Sequence, residues 1–238
     1  GTAIGAAAYV LANHNNLPVS PLRHAYLGPK YTTERCIRAC EVHRDKPRFE
    51  LLEKPAEKAA ELLQQGHLVG WFQGRMEFGP RALGNRSLLA SPVQSDSVRE
   101  INSRVKFREK WRCFSPSMLP GLAARMLGAH VTHADFMTQT FDVPEEWQKK
   151  FPSIVYSDGT TRAHIVHKDI NPRFYSLLRA MKKLTGFGMV VNTSLNRPGE
   201  AMICSPEDAL DMFFGSDLEY LIMQDLLITK PPEDNSGW

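Results

Sequence analysis

Three arginines pose the first chemical question. Arg75, Arg81 and Arg86 stand in the run Gly74-Arg75-Met76-Glu77-Phe78-Gly79-Pro80-Arg81-Ala82-Leu83-Gly84-Asn85-Arg86-Ser87. Their spacings of 6 and 5 fit no simple helix or strand period. Each guanidinium is a planar fork of donors that matches phosphate or carboxylate oxygens. A loop broken by Gly and Pro, leaving the apolar Leu68-Val69-Gly70-Trp71-Phe72, can turn several such forks toward one point. That reading is an anion site at a strand end; the competing one is a surface loop with solvated arginines. Glu77 reads either as the partner of an arginine in its own loop or as a surface acid.

Three later polar clusters also adjoin apolar runs: Lys106-Phe107-Arg108-Glu109-Lys110-Trp111-Arg112, Asp158-Gly159-Thr160-Thr161-Arg162-Ala163-His164, and Asn192-Thr193-Ser194-Leu195-Asn196-Arg197-Pro198-Gly199-Glu200. If they converge, they supply Lys and Arg for phosphates and Asn, Thr and Ser for hydrogen bonds. No GxxxxGK[ST], GxSxG or HExxH occurs. His164 and His167 are three apart, on opposite faces of a strand, so no metal site is expected. Ser87 and Ser194 have no general base that the sequence can place beside them. The inventory fits catalysis by positioning and charge neutralisation, as in phosphoryl or nucleotidyl transfer.

The elements that must position these groups follow from pattern. The 238 residues, 42% hydrophobic, allow one large domain, or one domain and a fragment. Net charge is only +3, which does not by itself imply nucleic acid, yet residues 75–112 hold nine Lys/Arg against four Asp/Glu. That surplus suits a small polyanion or an RNA surface. Four cysteines without CxxC point to a cytoplasmic protein, and no apolar run reaches membrane-span length. Helices are expected over 1–13, 33–41, 55–65, 95–103, 123–127, 172–185 and 206–214. Strands are expected over 68–72, 87–90, 114–119, 153–156, 162–166, 188–191, 220–223 and 226–229. The mixture without strict alternation predicts an α/β or α+β mixed sheet. Residues 1–20, rich in Gly and Ala and without an initiator Met, read as the end of a preceding domain. Residues 21–50 read as a linker, 51–230 as the domain proper and 231–238 as a tail.

In order along the chain, Gly74–Ala90, Val105-Lys106-Phe107-Arg108-Glu109, Phe114-Ser115-Pro116-Ser117, Asp158-Gly159-Thr160 with Arg162, Asn171-Pro172-Arg173-Phe174-Tyr175 and Val191-Asn192-Thr193-Ser194-Leu195-Asn196 resemble the C-terminal domain of the O-carbamoyltransferases, nodulation-type and antibiotic-tailoring enzymes among them. Residues 1–13 are similar to the last helix of that family's N-terminal, actin-like domain. The resemblance implies a YrdC-like twisted mixed sheet around a basic cleft. It also implies an activity: joining carbamoyl phosphate and ATP into carbamoyl-adenylate, with the missing N-terminal domain passing the carbamoyl group to an acceptor hydroxyl. A nodulation-factor sugar is preferred over an aminoglycoside as acceptor. The family's active-site Lys and Arg match Arg81, Lys106, Arg112 and Arg162, and its Asn and Ser match Asn192 and Ser194. Arg75, Arg86 and Thr193 are further candidates for substrate or ATP binding, Arg75 and Arg86 equally for holding the loop. Mg²⁺ is expected with the ATP, and no metal site within this chain. One departure stands out: the usual Arg-Pro-Phe-Ala-Pro-Ser is Arg112-Cys113-Phe114-Ser115-Pro116-Ser117 here, and Cys for Pro frees the backbone φ beside Arg112. The alternative is a YrdC-like module that binds RNA or a nucleotide without catalysis.

Overall fold

The computed structural model describes residues 1–14, 17–93, 96–109 and 112–231. Lys110, the start of the helix expected from Ser95, and nearly all of the expected tail lie outside them. In chain order the elements are α1 (Thr2–Asn13), α2 (Thr33–Val42), β1 (Arg48–Leu51), α3 (Pro55–Gln64), β2 (Val69–Phe72), β3 (Arg86–Ala90), α4 (Ser97–Glu100), β4 (Ser115–Met118), α5 (Pro120–Leu127), β5 (Phe141–Asp142), α6 (Glu145–Lys150), β6 (Thr160–Thr161), β7 (His164–Ile165), α7 (Pro172–Thr185), β8 (Met189–Ser194), α8 (Pro206–Phe214), β9 (Tyr220–Met223) and β10 (Leu226–Thr229).

Eight strands form one mixed sheet in the order β1-β10-β9-β2-β3-β8-β4-β7, and β5 pairs with β6 apart from it. β2 runs parallel to β9 and β4 to β7; the other neighbours are antiparallel. Every residue of β2 and β3 is buried, because helices cover the sheet on both sides. Alternation divides their side chains. Val69, Trp71 and Leu89 face Ala59, Leu63, Phe174 and Leu178 of α3 and α7, while Phe72, Leu88 and Ala90 join the core under α2, α5 and α8.

Helix boundaries follow local chemistry. Asn171 caps α7 by accepting from Phe174 N, Pro172 follows it, and Gly186 closes the helix in the left-handed conformation. Ser205 and Asp208 form a capping box at α8. Several expectations change in three dimensions. The stretch 21–50, read as a linker, holds α2, whose Cys36, Ala39 and Cys40 are buried, and β1, which pairs with β10. Residues 153–156 are not a strand: Pro152–Ile154 forms a 3₁₀ turn. The strand expected over 162–166 shrinks to His164–Ile165. Leu184 follows the apolar period of α7 but sits in its last turn and is 47% exposed, although Leu177 and Ala180 on the same side of the helix are buried. The helix after Ser97 widens into a π turn over Ile101–Val105 before releasing Lys106.

Candidate active site

A cleft opens where β8 ends and β3 and β4 begin. β8 is antiparallel to both neighbours, so the three ends coincide: Ser194 lies opposite Ser87, and Asn192 opposite Leu89 and Ser115. The loop before β3 brings Arg81, the loop before β4 brings Arg108 and Arg112, and the turn between β6 and β7 brings Arg162. The cleft holds about 520 Å³; Tyr156, Asn192, Thr193 and Ser194 line it with those four arginines. None of the described residues lining it is acidic. Among the described residues, none of the four arginines forms an ion pair with a carboxylate.

The electrostatic consequence is direct. Burial depresses the Arg81 pKa, and neighbouring Arg162 adds to the effect. Burial and then Arg112 do the same to Arg108. Like charges held together without a carboxylate are relieved by an anion between them. Arg162 Nε is buried without a hydrogen bond. Arg108 is held in place, its Nε donating to Asn102 Oδ1 at 2.8 Å and its guanidinium lying 4.5 Å over the Phe114 ring.

Asn192 is anchored from behind. Its Nδ2 donates to Ala82 O at 3.0 Å and to Ser117 Oγ at 2.8 Å, and Ser117 Oγ meets His164 Nδ1 at 2.9 Å. Burial, with His167 adding, pushes His164 down to about 3, so this histidine stays neutral at physiological pH. Asn192 Oδ1 is buried without a hydrogen bond. Ser194 Oγ donates to Asn196 Oδ1 at 2.7 Å.

The remaining candidates lie off the cleft. Lys106 is carried inward by the π turn. Its Nζ donates to Ser194 O at 2.6 Å, Asn196 O at 3.0 Å and Asn196 Oδ1 at 2.6 Å, using all three ammonium hydrogens. Burial, with Arg108 adding, pushes its pKa down to about 7. Lys106 thus holds the turn after β8. Arg86, expected as a possible substrate ligand, is completely buried. Its Nη1 donates to Gln73 O at 2.7 Å and Asn85 O at 2.9 Å, and the guanidinium sits 3.6 Å over Phe72. Arg75 donates to Gly28 O at 3.0 Å and lines a separate concavity of about 430 Å³ with Lys30 and Arg173.

Glu77 is neither a surface acid nor the ion-pair partner of an arginine. Its Oε1 accepts from the backbone N of Leu83 at 2.7 Å, Asn85 at 2.8 Å and Arg86 at 3.3 Å. Burial raises its pKa, against the pull of those amides and of Arg86. The carboxyl group is a buried nail around which the arginine loop is wrapped. The apolar residues around the loop divide: Trp71 and Phe72 are core, with Trp71 Nε1 donating to Gly84 O at 2.9 Å, whereas Phe78, which the apolar pattern also suggested as core, is 46% exposed. Sequence reading missed Arg108 and Tyr156 as wall residues. Arg108 could have been found from its place in the same basic motif as Arg112. Tyr156, whose hydroxyl lies 3.3 Å from Ser115 Oγ, carried no local signal.

A larger concavity, about 660 Å³, lies along α3 and α7 and contains none of the candidate residues. Its walls set Lys54, Lys168, Arg173, Arg179 and Lys183 against Glu53, Glu57 and Asp225, so acids offset much of its positive charge, as they do not in the cleft.

The family described as "Carbamoyltransferase C-terminus" matches residues 60–230. The chain belongs to that family. The match spans the arginine loop, the cleft and every strand from β2 to β10. Nodulation protein NolO of Bradyrhizobium diazoefficiens is 35% identical over all of this chain and 44% of its own length. The 3'-hydroxymethylcephem-O-carbamoyltransferase of Streptomyces clavuligerus is 33% identical over 76% of this chain and 34% of its own. The chain spans less than half the length of the curated relatives it matches. HypF of T.kodakarensis shares the fold, with TM-score 0.51 and 18% identity over 77% of this chain and 23% of that one. A mixed sheet with flanking helices is therefore the architecture of this carbamoyltransferase domain. Among the described residues, no helix is long and apolar enough to cross a membrane.

Proposed function

We propose that this carbamoyltransferase C-terminal domain makes carbamoyl-adenylate from carbamoyl phosphate and ATP, for transfer to an acceptor hydroxyl by a preceding domain. One observation carries the reading: Arg81, Arg108, Arg112 and Arg162 meet Asn192, Thr193 and Ser194 around one cleft whose described walls contain no acid. Water cleaves carbamoyl phosphate into carbamate and inorganic phosphate. A carbamate oxygen then bonds to the α-phosphorus of ATP, the bond from that phosphorus to the β-phosphate oxygen breaks, and pyrophosphate leaves. Carbamate is already an anion, so the second step needs no general base. It needs positive charge around two anions, strongest as charge moves onto the leaving pyrophosphate. The four guanidiniums offer it. Asn192, Thr193 and Ser194 are neutral and can orient oxygens without adding charge. Mg²⁺ would be carried by the triphosphate, because the described walls supply no carboxylate for a protein cage.

The exposed apolar side chains of α1, Tyr9, Val10 and Leu11, support its assignment to a preceding domain. A cytoplasmic location and a nodulation-type sugar acceptor complete the reading. Calorimetric titration with ATP and with carbamoyl phosphate tests it. Both ligands should bind the native chain and lose most of their affinity in an Arg81→Ala, Arg162→Ala variant. Equal binding by the variant would sink the proposal. Salt-steep RNA binding without either ligand would favour the non-catalytic module.

A further inference from the structure

We propose that His133, Asp135 and His167 form a binding site for one divalent transition-metal ion of the zinc type. Residues 128–140 lead from α5 toward β5, and Ile165 N donates to Ala134 O at 3.2 Å, which sets His133 and Asp135 beside the segment after β7. One ligand atom from each of the three residues lies within 4.8 Å of the other two. Asp135 Oδ1 is 3.4 Å from His167 Nε2, and Asp135 Oδ2 is 3.6 Å from His133 Nδ1. Zinc bonds of about 2.0–2.2 Å in a tetrahedron put neighbouring ligands roughly 3.3 Å apart. The two imidazoles face each other with ring centres 5.5 Å apart, and the His133 side chain is 76% exposed and free to close on an ion.

A second observation points to a ligand. His167 Nε2 is buried and makes no hydrogen bond, although a carboxylate oxygen is only 3.4 Å away. His24 Nδ1 is likewise buried without a partner. His24, Asp135 and His167 share the wall of one small cavity of about 10 Å³, with Arg23 and His164. That is about the space of a single water or ion. Unprotonated imidazole nitrogens and a carboxylate at this spacing form the donor set zinc prefers, and His24 or water is available for the fourth position. The sequence set His167 against His164; the fold instead pairs it with residues more than thirty positions upstream. The ion would clamp residues 133–135 to the segment leading into α7. Met137, two residues beyond Asp135, lies on the wall of the arginine cleft, so the clamp would stiffen that wall without touching the reaction.

Titration of the metal-free chain with Co²⁺ and Zn²⁺ tests this. The expected result is about one equivalent bound, with the intense visible absorption of tetrahedral Co²⁺ and a rise in Tm with Zn²⁺. His133→Ala alters an exposed group and Asp135→Asn keeps the shape of a largely buried one, so both should fold normally. Each should weaken binding by more than the roughly 10–100-fold typical of losing an outer-shell partner. His130→Ala, on the same loop but outside the cluster, should bind as the native chain does. No stoichiometric binding, or binding that survives both His133→Ala and Asp135→Asn, would overturn the assignment. The outcome is independent of whether the arginine cleft makes carbamoyl-adenylate.

Discussion

Arg81, Arg86 and Arg75 come from one loop and meet three different environments. Arg81 faces other guanidiniums across the cleft, Arg86 is stacked in the core, and Arg75 serves the Gly28 carbonyl. Their alanine variants should therefore separate. Arg81→Ala should cost on the order of a hundredfold in kcat/KM, about 3 kcal/mol of transition-state stabilisation, with little change in the denaturation midpoint. Arg86→Ala should lower the denaturation midpoint instead, since carbonyls of Gln73 and Asn85 lose a buried donor. The sequence could place Arg81, Arg112, Arg162, Asn192 and Ser194 near one another because strand ends carry them. It could not separate Lys106 from the wall, since only the π turn directs that side chain inward.

Lys106 also gives the site a pH signature. Its folded pKa is near 7, against an ordinary 10.5. Between those values the unfolded chain holds a proton that the folded chain lacks, so stability should rise with pH across that window and level off below it. Activity should run the other way. As pH climbs through about 7 the ammonium is lost, and with it a hydrogen to hold the turn at Ser194 and Asn196. The kcat/KM profile should fall there, the corresponding limb in kcat should lie at higher pH because bound polyanion favours the charged amine, and Lys106→Gln should flatten both.

At the scale of elements, the arginine loop is positioned by what lies beneath it. Glu77→Ala would strand three buried backbone N–H groups, at about 1–3 kcal/mol each, so chemical denaturation should report a loss of about 3 kcal/mol or more. Gly84 adds a second constraint. Its φ is +97°, and a Cβ there would stand 2.2 Å from the Phe174 ring of α7. Gly84→Ala should cost a further ~1–3 kcal/mol of overpacking, beyond the backbone strain, read as a lower Tm. Helices α7 and α8 and strands β9 and β10 were legible residue by residue, because cap residues and apolar periods are local. The sheet order was not, since β2 meets β9 across some 150 residues of chain. β1 hid in a polar, Pro-punctuated stretch and exists because β10 supplies its partner; α2 was legible there as a helix, but not its packing against α8. Glu77's role was invisible for a local reason: the backbone N–H groups that donate to it lie in its own loop, whose irregular turn follows no sequence period.

At the scale of the molecule, a sheet covered on both faces leaves its strand ends as the place for chemistry. The antiparallel pairing of β8 with β3 and β4 gathers four sequence motifs at one such end. Membership of the carbamoyltransferase family agrees with that reading, and under the proposal this domain activates the carbamoyl group and another delivers it. The most direct test is exchange of labelled pyrophosphate into ATP by the isolated chain, with carbamoyl phosphate and Mg²⁺ present. The account predicts exchange that requires carbamoyl phosphate and falls on the order of a hundredfold in Arg81→Ala or Arg162→Ala. Exchange that proceeds without carbamoyl phosphate, or that these substitutions leave unchanged, would contradict it.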